Sequence, residues 1–401
     1  MNTDFNADYV DIQEVQPKHN DTLDRPEHNV RITTIGVGGG GSHMITHLSN
    51  TNPHHAVNLV AANTDKQDLY TTKAQVKMVL GEKLTGGWGA GMRPEVGEKA
   101  ALETYEELKL AINGSQIAFV CAGLGGGTGT GAAPVVAKAA RETGALTIAV
   151  VTKPFKSEGN KRAKFAEEGL KKLKAESDCI IVIPNERLLS IIPPNLGYKD
   201  SMRIVDDVLA RAVNGMSNII LRGANEGMNM DFADTRTVLS YGGLALMGIG
   251  EAKGDEAAIE AVRRAIESPL LDNVDINGAK GVLVCFEINE DYPMSATDKA
   301  MELIHRAADE DADIFWGVYI DENAEIDSVR VTVIATGFER EIIANNENPQ
   351  QPQMTQEQVM QKQAIQKLND NFRAISPSFK EQNGLLDYEL DVPTYLRAGR
   401  D

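Results

Sequence analysis

Short apolar runs and longer amphipathic stretches alternate through the first half of the chain. Apolar runs that read as buried strands stand at Val30–Ile35, Val57–Ala62, Ile117–Ala122, Leu146–Val151 and Cys179–Ile183. A Gly-rich turn (Gly36 to Gly41) and a helix through Met44, Ile45 and Leu48 follow the first run. Helical patterns such as Glu98–Ile112 and Gly159–Leu173 separate the later ones. Strands alternating with helices predict an α/β fold built on a parallel sheet, with ligand loops at the carboxyl ends of its strands.

From Ser201 to Leu221 the spacing predicts one long helix. Ile204, Val205, Val208, Leu209, Ala212, Val213 and Met216 recur on it, and both its flanks are apolar enough to be buried. Beyond it, strand-like runs at Gly281–Ile288, Ile314–Ile320 and Val329–Ala335 are separated by helical patterns at Glu256–Ile266 and Ser295–Ala308. The expected organisation is a parallel-sheet, Rossmann-like domain over 30–200 and a central helix over 201–223. A smaller α+β domain over 224–340 completes it.

The ends differ in texture. Residues 1–29 carry seven acidic and two basic side chains and read as a flexible extension. Between Asn345 and Gly384, glutamine supplies nine of 40 residues and asparagine six, which predicts a disordered linker over 341–384. The closing segment, 385–401, contains the apolar cluster Leu390-Asp391-Val392-Pro393-Thr394-Tyr395-Leu396-Arg397. An apolar patch at the end of a polar tether has no core to join, so it reads as a recognition motif.

Composition narrows the function. A 401-residue chain with 42% hydrophobic residues supplies core enough for two domains. A net charge of −18 opposes general binding to nucleic acid, whose phosphates it would repel. Cys121, Cys179 and Cys285 lie far apart, each in an apolar run, and read as core residues rather than a disulfide or metal set. No run of about 18 apolar residues predicts a transmembrane helix, and the acidic N-terminus lacks the apolar region of a signal peptide. A cytoplasmic protein without direct membrane insertion is the expectation.

The chemistry is concentrated in glycine. Gly123-Leu124-Gly125-Gly126-Gly127-Thr128-Gly129-Thr130-Gly131 follows one predicted strand and precedes Ala132–Ala137, which opens a helix. Its six glycines permit positive φ and close backbone approach to a ligand, and its two threonine hydroxyls add donors. Amides at a helix N-terminus favour an anion, here a phosphate chain. Gly36-Val37-Gly38-Gly39-Gly40-Gly41 matches G-x-G-x-x-G, with Asp65 ending the second strand, which by itself admits a Rossmann oxidoreductase. A third run, Gly86-Gly87-Trp88-Gly89-Ala90-Gly91, favours one polyphosphate cradled by three loops at successive strand ends. No G-x-x-x-x-G-K-[ST] supplies a phosphate-binding lysine.

These loops resemble those of the tubulin/FtsZ superfamily, on its bacterial FtsZ side. Val151–Phe155, Ile183-Pro184-Asn185, Asn229–Asp234 and Ser268–Leu271 match as well, so the resemblance covers about 30–340 and the tail. It implies a GTPase that polymerises head-to-tail into the filaments of the bacterial division ring, with GTP/GDP and magnesium as cofactors. The resemblance assigns phosphate and base contacts to Gly39, Gly40, Gly41, Ser42 and His43, and the α- and β-phosphates to Gly127, Thr128 and Gly129. Ala90 and Gly91 would sense the γ-phosphate, and Asn63 and Asp65 would lie near the phosphates and magnesium. Glu158 and Arg162 match nucleotide and ribose contacts, although their spacing also fits a solvated i,i+4 pair. Asn185 joins the nucleotide-binding set.

Asp206 matches the residue that reads guanine, where a carboxylate accepts from N1–H and the exocyclic amine; Asp207 competes for the role by one residue. His43 stands where most members have Asn, and Met202 where many have Phe. Asn229, Asp231 and Asp234 match the loop that enters the next subunit's nucleotide site, the two aspartates positioning the attacking water. Read without the family, Asp231 and Asp234 equally fit helix capping. The retained aspartates favour a GTPase over a non-catalytic scaffold. The tail resembles the peptide that binds membrane-tethering division proteins such as FtsA, through Leu390–Arg397, which implies a cytoplasmic protein at the midcell division site.

Overall fold

Ten strands join in one sheet in the order β3-β2-β1-β4-β5-β6-β7-β10-β8-β9. They are β1 Ile32–Val37, β2 Val57–Asn63, β3 Val76–Val79, β4 Ile117–Gly123, β5 Leu146–Lys153, β6 Cys179–Pro184, β7 Gly243–Lys253, β8 Gly281–Ile288, β9 Asp313–Ile320 and β10 Ser328–Thr336. The structure, a computed structural model, describes residues 30–51, 56–193, 195–222, 232–271, 276, 278–321 and 324–338. The predicted N-terminal extension, linker and C-terminal peptide, together with Asn229 and Asp231, lie outside the described residues.

Twelve helices are described. They are α1 Gly38–Asn50, α2 Lys66–Thr71, α3 Glu82–Thr85, α4 Pro94–Glu103, α5 Tyr105–Ile112, α6 Thr128–Glu142, α7 Asn160–Glu176, α8 Asn185–Leu188, α9 Tyr198–Arg222, α10 Phe232–Ser240, α11 Ala257–Ile266 and α12 Met294–Ala307. Strands β1 to β6 pair in parallel, as the alternating pattern predicts for all but β3, a short half-exposed edge strand that no apolar run announced. β1 lies between β2 and β4, so the chain's direction of winding reverses there. The loops after β1 and β4 part at this switch point, where open α/β sheets bind ligands. On the far side, β10 pairs antiparallel with both β7 and β8, and β9 runs parallel to β8.

One apolar layer under α1 and α9 runs from Ile32 and Met44 through Leu209 and Met216 to Leu283 and Ile334. The other layer, under α4, α5 and α6, holds Val120, Ala133, Val136 and Leu108. Of the stripe predicted for it, α9 buries Val205, Val208, Leu209, Ala212, Val213 and Met216, and Ile204 packs partly buried against the same layer. The three cysteines are free and buried among apolar side chains, and burial pushes the Cys179 and Cys285 thiols up to about 12.

Several elements differ from expectation for steric reasons. Gly36 and Val37 belong to β1, and the helix already starts at Gly38. A Cβ on Gly36 would lie 2.2 Å from the Gly41 carbonyl oxygen, so α1 rests directly on the strand that feeds it. The predicted helix 98–112 is broken at Thr104, whose hydroxyl donates to the Ala100 carbonyl (2.9 Å) and accepts from the Gly81 amide (3.1 Å). β7 carries no clear strand pattern because Gly248 and Gly250 interrupt it. Those glycines leave room for α11, whose Ala265 and Ala261 carbonyl oxygens lie 2.0 and 1.9 Å from the Cβ positions they lack. The third glycine run does not follow a strand but follows α3.

A chain of charges links the two ends of the sheet. His47 Nε2 on α1 lies 3.2 Å from Asp207 Oδ1 on α9, and Arg211 Nε donates to Asp207 Oδ2 at 2.6 Å. Arg211 also pairs with Glu251 on β7. Arg330 on β10 stands directly between Glu251 and Glu287 in the strand register, donating to Glu251 at 2.8 Å and pairing with Glu287. Burial pushes the Asp207 and Glu251 carboxyls up. The His47 hydrogen bond and Arg211 outweigh it at Asp207, and Arg211 and Arg330 outweigh it at Glu251, so both end below the usual carboxylate value. At Glu287 burial prevails over Arg330 and the carboxyl is raised.

Arg211→Ala leaves two half-buried carboxylates short of a partner and is expected to cost about 2 kcal/mol at neutral pH. Asp207 and Glu251 have depressed values, so their contribution is present above the ordinary carboxylate value and lost as pH falls. The gap between variant and parent in urea unfolding therefore narrows on acidification. Equal stability at neutral pH would remove the network from the forces holding α9 to the sheet.

Candidate functional site

The loops after β1 and β4 open into a cleft of about 710 Å³, roofed by the first half of α9. Gly39, Gly40 and His43 line it from α1, and Gly126, Gly127, Thr128 and Gly129 from the start of α6. Neither helix has a side-chain cap: Val37 precedes α1 and Gly127 precedes α6 without a cap bond. Two sets of first-turn amides and the positive ends of two helix dipoles therefore face one space, which suits a polyanion.

The glycines of the 123–131 run serve packing more than unusual φ. Only Gly125 among them has positive φ, at 102°. A Cβ on Gly129 would lie 2.3 Å from the Gly123 carbonyl oxygen, and one on Gly131 would lie 1.9 Å from that of Pro94. Gly127 is closed less tightly, by the Ala90 methyl and the Arg93 amide nitrogen, at 2.9 Å. Gly126 differs: no atom lies within 4 Å of its missing Cβ, so it is bare toward the cleft. The two threonines also act inward, in contrast to the donors expected of them. Thr130 Oγ1 accepts from the Gly125 amide (2.8 Å), and Thr128 Oγ1 bonds Thr64 Oγ1 (2.7 Å).

The remaining predicted residues divide between the wall of the cleft and its backing. Glu158, Arg162, Asn185 and Asp206 line the wall together with Met202. Glu158 and Arg162 form the i,i+4 ion pair that their spacing allows, and Glu158 accepts from the Phe155 amide at 2.9 Å. Asn185 Oδ1 is buried with no hydrogen-bond partner among the described residues. The two neighbouring aspartates on α9 point in different directions. Asp206 faces the cleft, while Asp207 is held by His47 and Arg211. Burial raises the Asp206 carboxyl, against the pull of His43 and His47.

Gly41, Ser42, Asn63, Asp65 and Ala90 stand behind the wall rather than in it. Gly41 is closed by the Cys121 carbonyl, 2.6 Å from its Cβ position, and Ser42 is fully buried. Asn63 Nδ2 donates to Asp68 Oδ2 at 2.6 Å. Asp65 caps α2, accepting from the amides of Gln67 (2.9 Å) and Asp68 (3.3 Å). The third glycine loop is stapled there: Gly89 donates to the Thr64 carbonyl (3.1 Å) and Lys66 to that of Gly87 (3.0 Å). Ala90 packs behind Gly127, and Gly91 is exposed. Asp234 belongs to the first turn of α10, and its side chain lies outside the described residues, as Asn229 and Asp231 do.

Tyr198, Lys199 and Arg203 also line the cleft and were not predicted. They belong to the first turns of α9, before or beside the apolar stripe that marks the helix, so hydrophobic periodicity does not reach them. Asp68, which meets both Asn63 and His43, carried no motif either. Among the described residues no group of three or more His, Cys, Asp or Glu side chains could hold a metal ion.

A model of the tubulin/FtsZ family GTPase domain matches residues 31–193, and one of the FtsZ family C-terminal domain matches residues 243–339. The cell division protein FtsZ of Helicobacter pylori (strain J99) is 44% identical, over 99% of this chain and 98% of that protein. Cell division protein FtsZ 1 of Archaeoglobus fulgidus is 48% identical, over 76% of this chain and 82% of that protein. Among solved structures, an empty FtsZ dimer of M. jannaschii aligns with a TM-score of 0.73 at 46% identity, over 77% of this chain and 88% of that one. CetZ1 from Haloferax volcanii, solved as a GDP-bound monomer, shares the fold with a TM-score of 0.66 at 19% identity, over 79% of this chain and 98% of that one.

The contrast between Gly126 and Gly131 is measurable. Gly126→Ala is expected to keep thermal stability within about 0.5 kcal/mol and to weaken nucleoside triphosphate binding roughly tenfold, because the new methyl enters the cleft. Gly131→Ala overpacks α6 against α4 and is expected to cost about 2 kcal/mol or more in stability. Unchanged affinity in Gly126→Ala would move the ligand away from this loop.

Proposed function

The chain belongs to the tubulin/FtsZ family, and from that premise we propose how its cleft serves a GTPase of cell division that polymerises. The observation that carries the reading is the convergence of two uncapped helix N-termini on one cleft whose roof presents Asp206. The amides of Gly39, Gly40, Gly127, Thr128 and Gly129 bind the phosphate chain, and Gly126 leaves space for it. Asp206 accepts from N1–H and the exocyclic amine of guanine and repels the N1 lone pair of adenine, which selects GTP over ATP. Asn185 supplies an acceptor at the wall, and Met202 lies against the base through its thioether.

Asn63 and Asp65 act by holding the phosphate loop from behind, through Thr64 and the third glycine loop. Gly91, with Ala90 packed behind Gly127, lies where a γ-phosphate extending past Gly127 would be felt. Magnesium, held by the phosphates and water, would neutralise charge on the transferring phosphoryl group.

Hydrolysis is completed between subunits. Asn229, Asp231 and Asp234 of one copy enter the cleft of the next, and the aspartates orient the attacking water. The chemistry then rests on positioning and on charge stabilisation at the γ-phosphate. A head-to-tail contact of this kind does not close and so generates a filament. Residues Leu390–Arg397 bind a membrane-tethering division protein of the FtsA kind, which holds the filament at the midcell site. Among the described residues no helix is long and apolar enough to cross a membrane. Membership of a GTPase family displaces the oxidoreductase that the first glycine loop alone admitted.

The reading is tested by GTPase rate against protein concentration. Half a site per subunit requires a threshold below which turnover vanishes; a rate per subunit that is constant from the lowest concentration would show a self-contained enzyme. Asp234→Ala is expected to bind GTP and assemble, by light scattering, with turnover reduced roughly 100-fold. Normal turnover in that variant would remove Asp234 from the reaction, and binding without assembly in the parent would leave a nucleotide-binding protein that is not a polymer.

A further inference from the structure

Arg93 is a cation placed where a helix disfavours one. It occupies the N-cap position of α4 without a side-chain cap bond, and Pro94 follows at the first helical position. A cap requires an acceptor, which a guanidinium lacks, and the positive end of the helix dipole repels it. Among the described residues Arg93 forms no ion pair, although Glu95 lies in the same helical turn.

The turn that holds Arg93 is strained. Its amide donates to the Ala90 carbonyl at 3.2 Å, with Gly91 at φ 59° and Met92 at φ 56° between them. Two successive positive φ values suit Gly and Asn, and among the described residues Met92 is the one non-glycine residue with a positive φ. This turn sets Arg93 against the phosphate loop. The Arg93 amide nitrogen lies 2.9 Å from the Cβ position of Gly127, which lines the cleft, and Arg93 Nε lies 3.9 Å from that of Gly91. An unpaired cation, an uncapped helix dipole and a strained turn thus share one edge of an anion cleft. The first two are unfavourable together in the empty protein and are offset by a bound anion.

The other cations of the cleft stand elsewhere. Arg162 pairs with Glu158, and Arg203 lies 3.4 Å from Asp200. Lys199 and Arg203 belong to α9, the helix that carries Asp206 and Met202 and so meets the base. The phosphate chain runs from there to the start of α6, and its far end lies toward Gly127 and Arg93.

We propose that Arg93 is a specificity-determining residue that binds the terminal phosphate of a nucleoside triphosphate and so sets the preference for GTP over GDP. A diphosphate ends on the amides of Gly127, Thr128 and Gly129 and leaves the guanidinium in water. A triphosphate extends past Gly127, where the planar fork of Arg93 donates to its terminal oxygens. The main chain of Arg93 keeps its bonds to Ala90 and Val96 whatever the side chain, so substitution removes the cation and leaves the turn.

The proposal rests on the reading of the cleft as a guanine-nucleotide site, and one experiment separates the two. Binding of GDP and of the non-hydrolysable GTP analogue GMPPNP is measured by equilibrium dialysis with magnesium, at protein concentrations where light scattering shows no assembly. The proteins are the full chain, Arg93→Gln, which keeps the stem without the charge, and Arg93→Lys, which keeps the charge without the fork.

Arg93→Gln is expected to bind GMPPNP roughly tenfold more weakly than the parent and GDP within about twofold of it. Arg93→Lys recovers part of the loss. The parent's preference for GMPPNP over GDP falls as salt is raised from about 50 mM to about 300 mM, and more steeply than that of Arg93→Gln. An equal loss for both nucleotides in Arg93→Gln, or no loss for either, overturns the proposal while leaving the nucleotide site in place. Failure of the parent to bind either nucleotide overturns the reading of the cleft and the proposal with it.

Discussion

Everything at the site depends on how closely two backbone segments approach at the switch point of the sheet. α1 lies on β1 with no room for a Cβ at Gly36, and the turn at Gly38 touches the Gly129 amide, 2.8 Å from its Cβ position. Gly129 closes against Gly123, and Gly131 against Pro94. These contacts set two helix N-termini side by side. A single N-terminus attracts an anion weakly in water; two facing one cleft, with amides fixed in advance, form a site for a chain of phosphates. The glycines are needed first for this approach of protein to protein, and only Gly126 stands bare for the ligand.

The second determinant is α9. Its apolar stripe is buried in a layer shared by both ends of the sheet. Consecutive residues on it have different tasks. Asp206 faces the cleft, whereas Asp207 begins the charge chain through Arg211, Glu251, Arg330 and Glu287. This adjacency on one helix gives the two halves a shared element.

The cleft binds by fixed backbone dipoles and a few polar side chains, and much of its polar chemistry is spent on holding its own shape. Thr128, Thr130, Asn63 and Asp65 all have partners within the protein. Such preorganisation, beside the Arg162, Lys199 and Arg203 cations that line the cleft, is how a site whose sequence has no P-loop motif retains a polyanion, since the cost of ordering the donors is met in folding.

The alternating apolar runs determined the parallel half of the sheet apart from the half-exposed edge strand β3, the long helix and the strands β8, β9 and β10, because burial on one or both faces imposes a periodicity that any chain must obey. The first two glycine runs marked the loops that open into the cleft, since a Cβ at Gly36, Gly129 or Gly131 would collide with neighbouring backbone. Tertiary structure alone decided the rest. β7 was hidden because its glycines answer to α11, a neighbour distant in sequence, and the break at Thr104 answers to Gly81. Whether Asp206 or Asp207 meets the cleft depends on the rotation of α9, which is set by packing on both sides. Asp68 became a site residue only when α2 folded against α1, since nothing local to it marks the contact. Local sequence fixes what each segment can form; which side chains meet is a property of long-range packing.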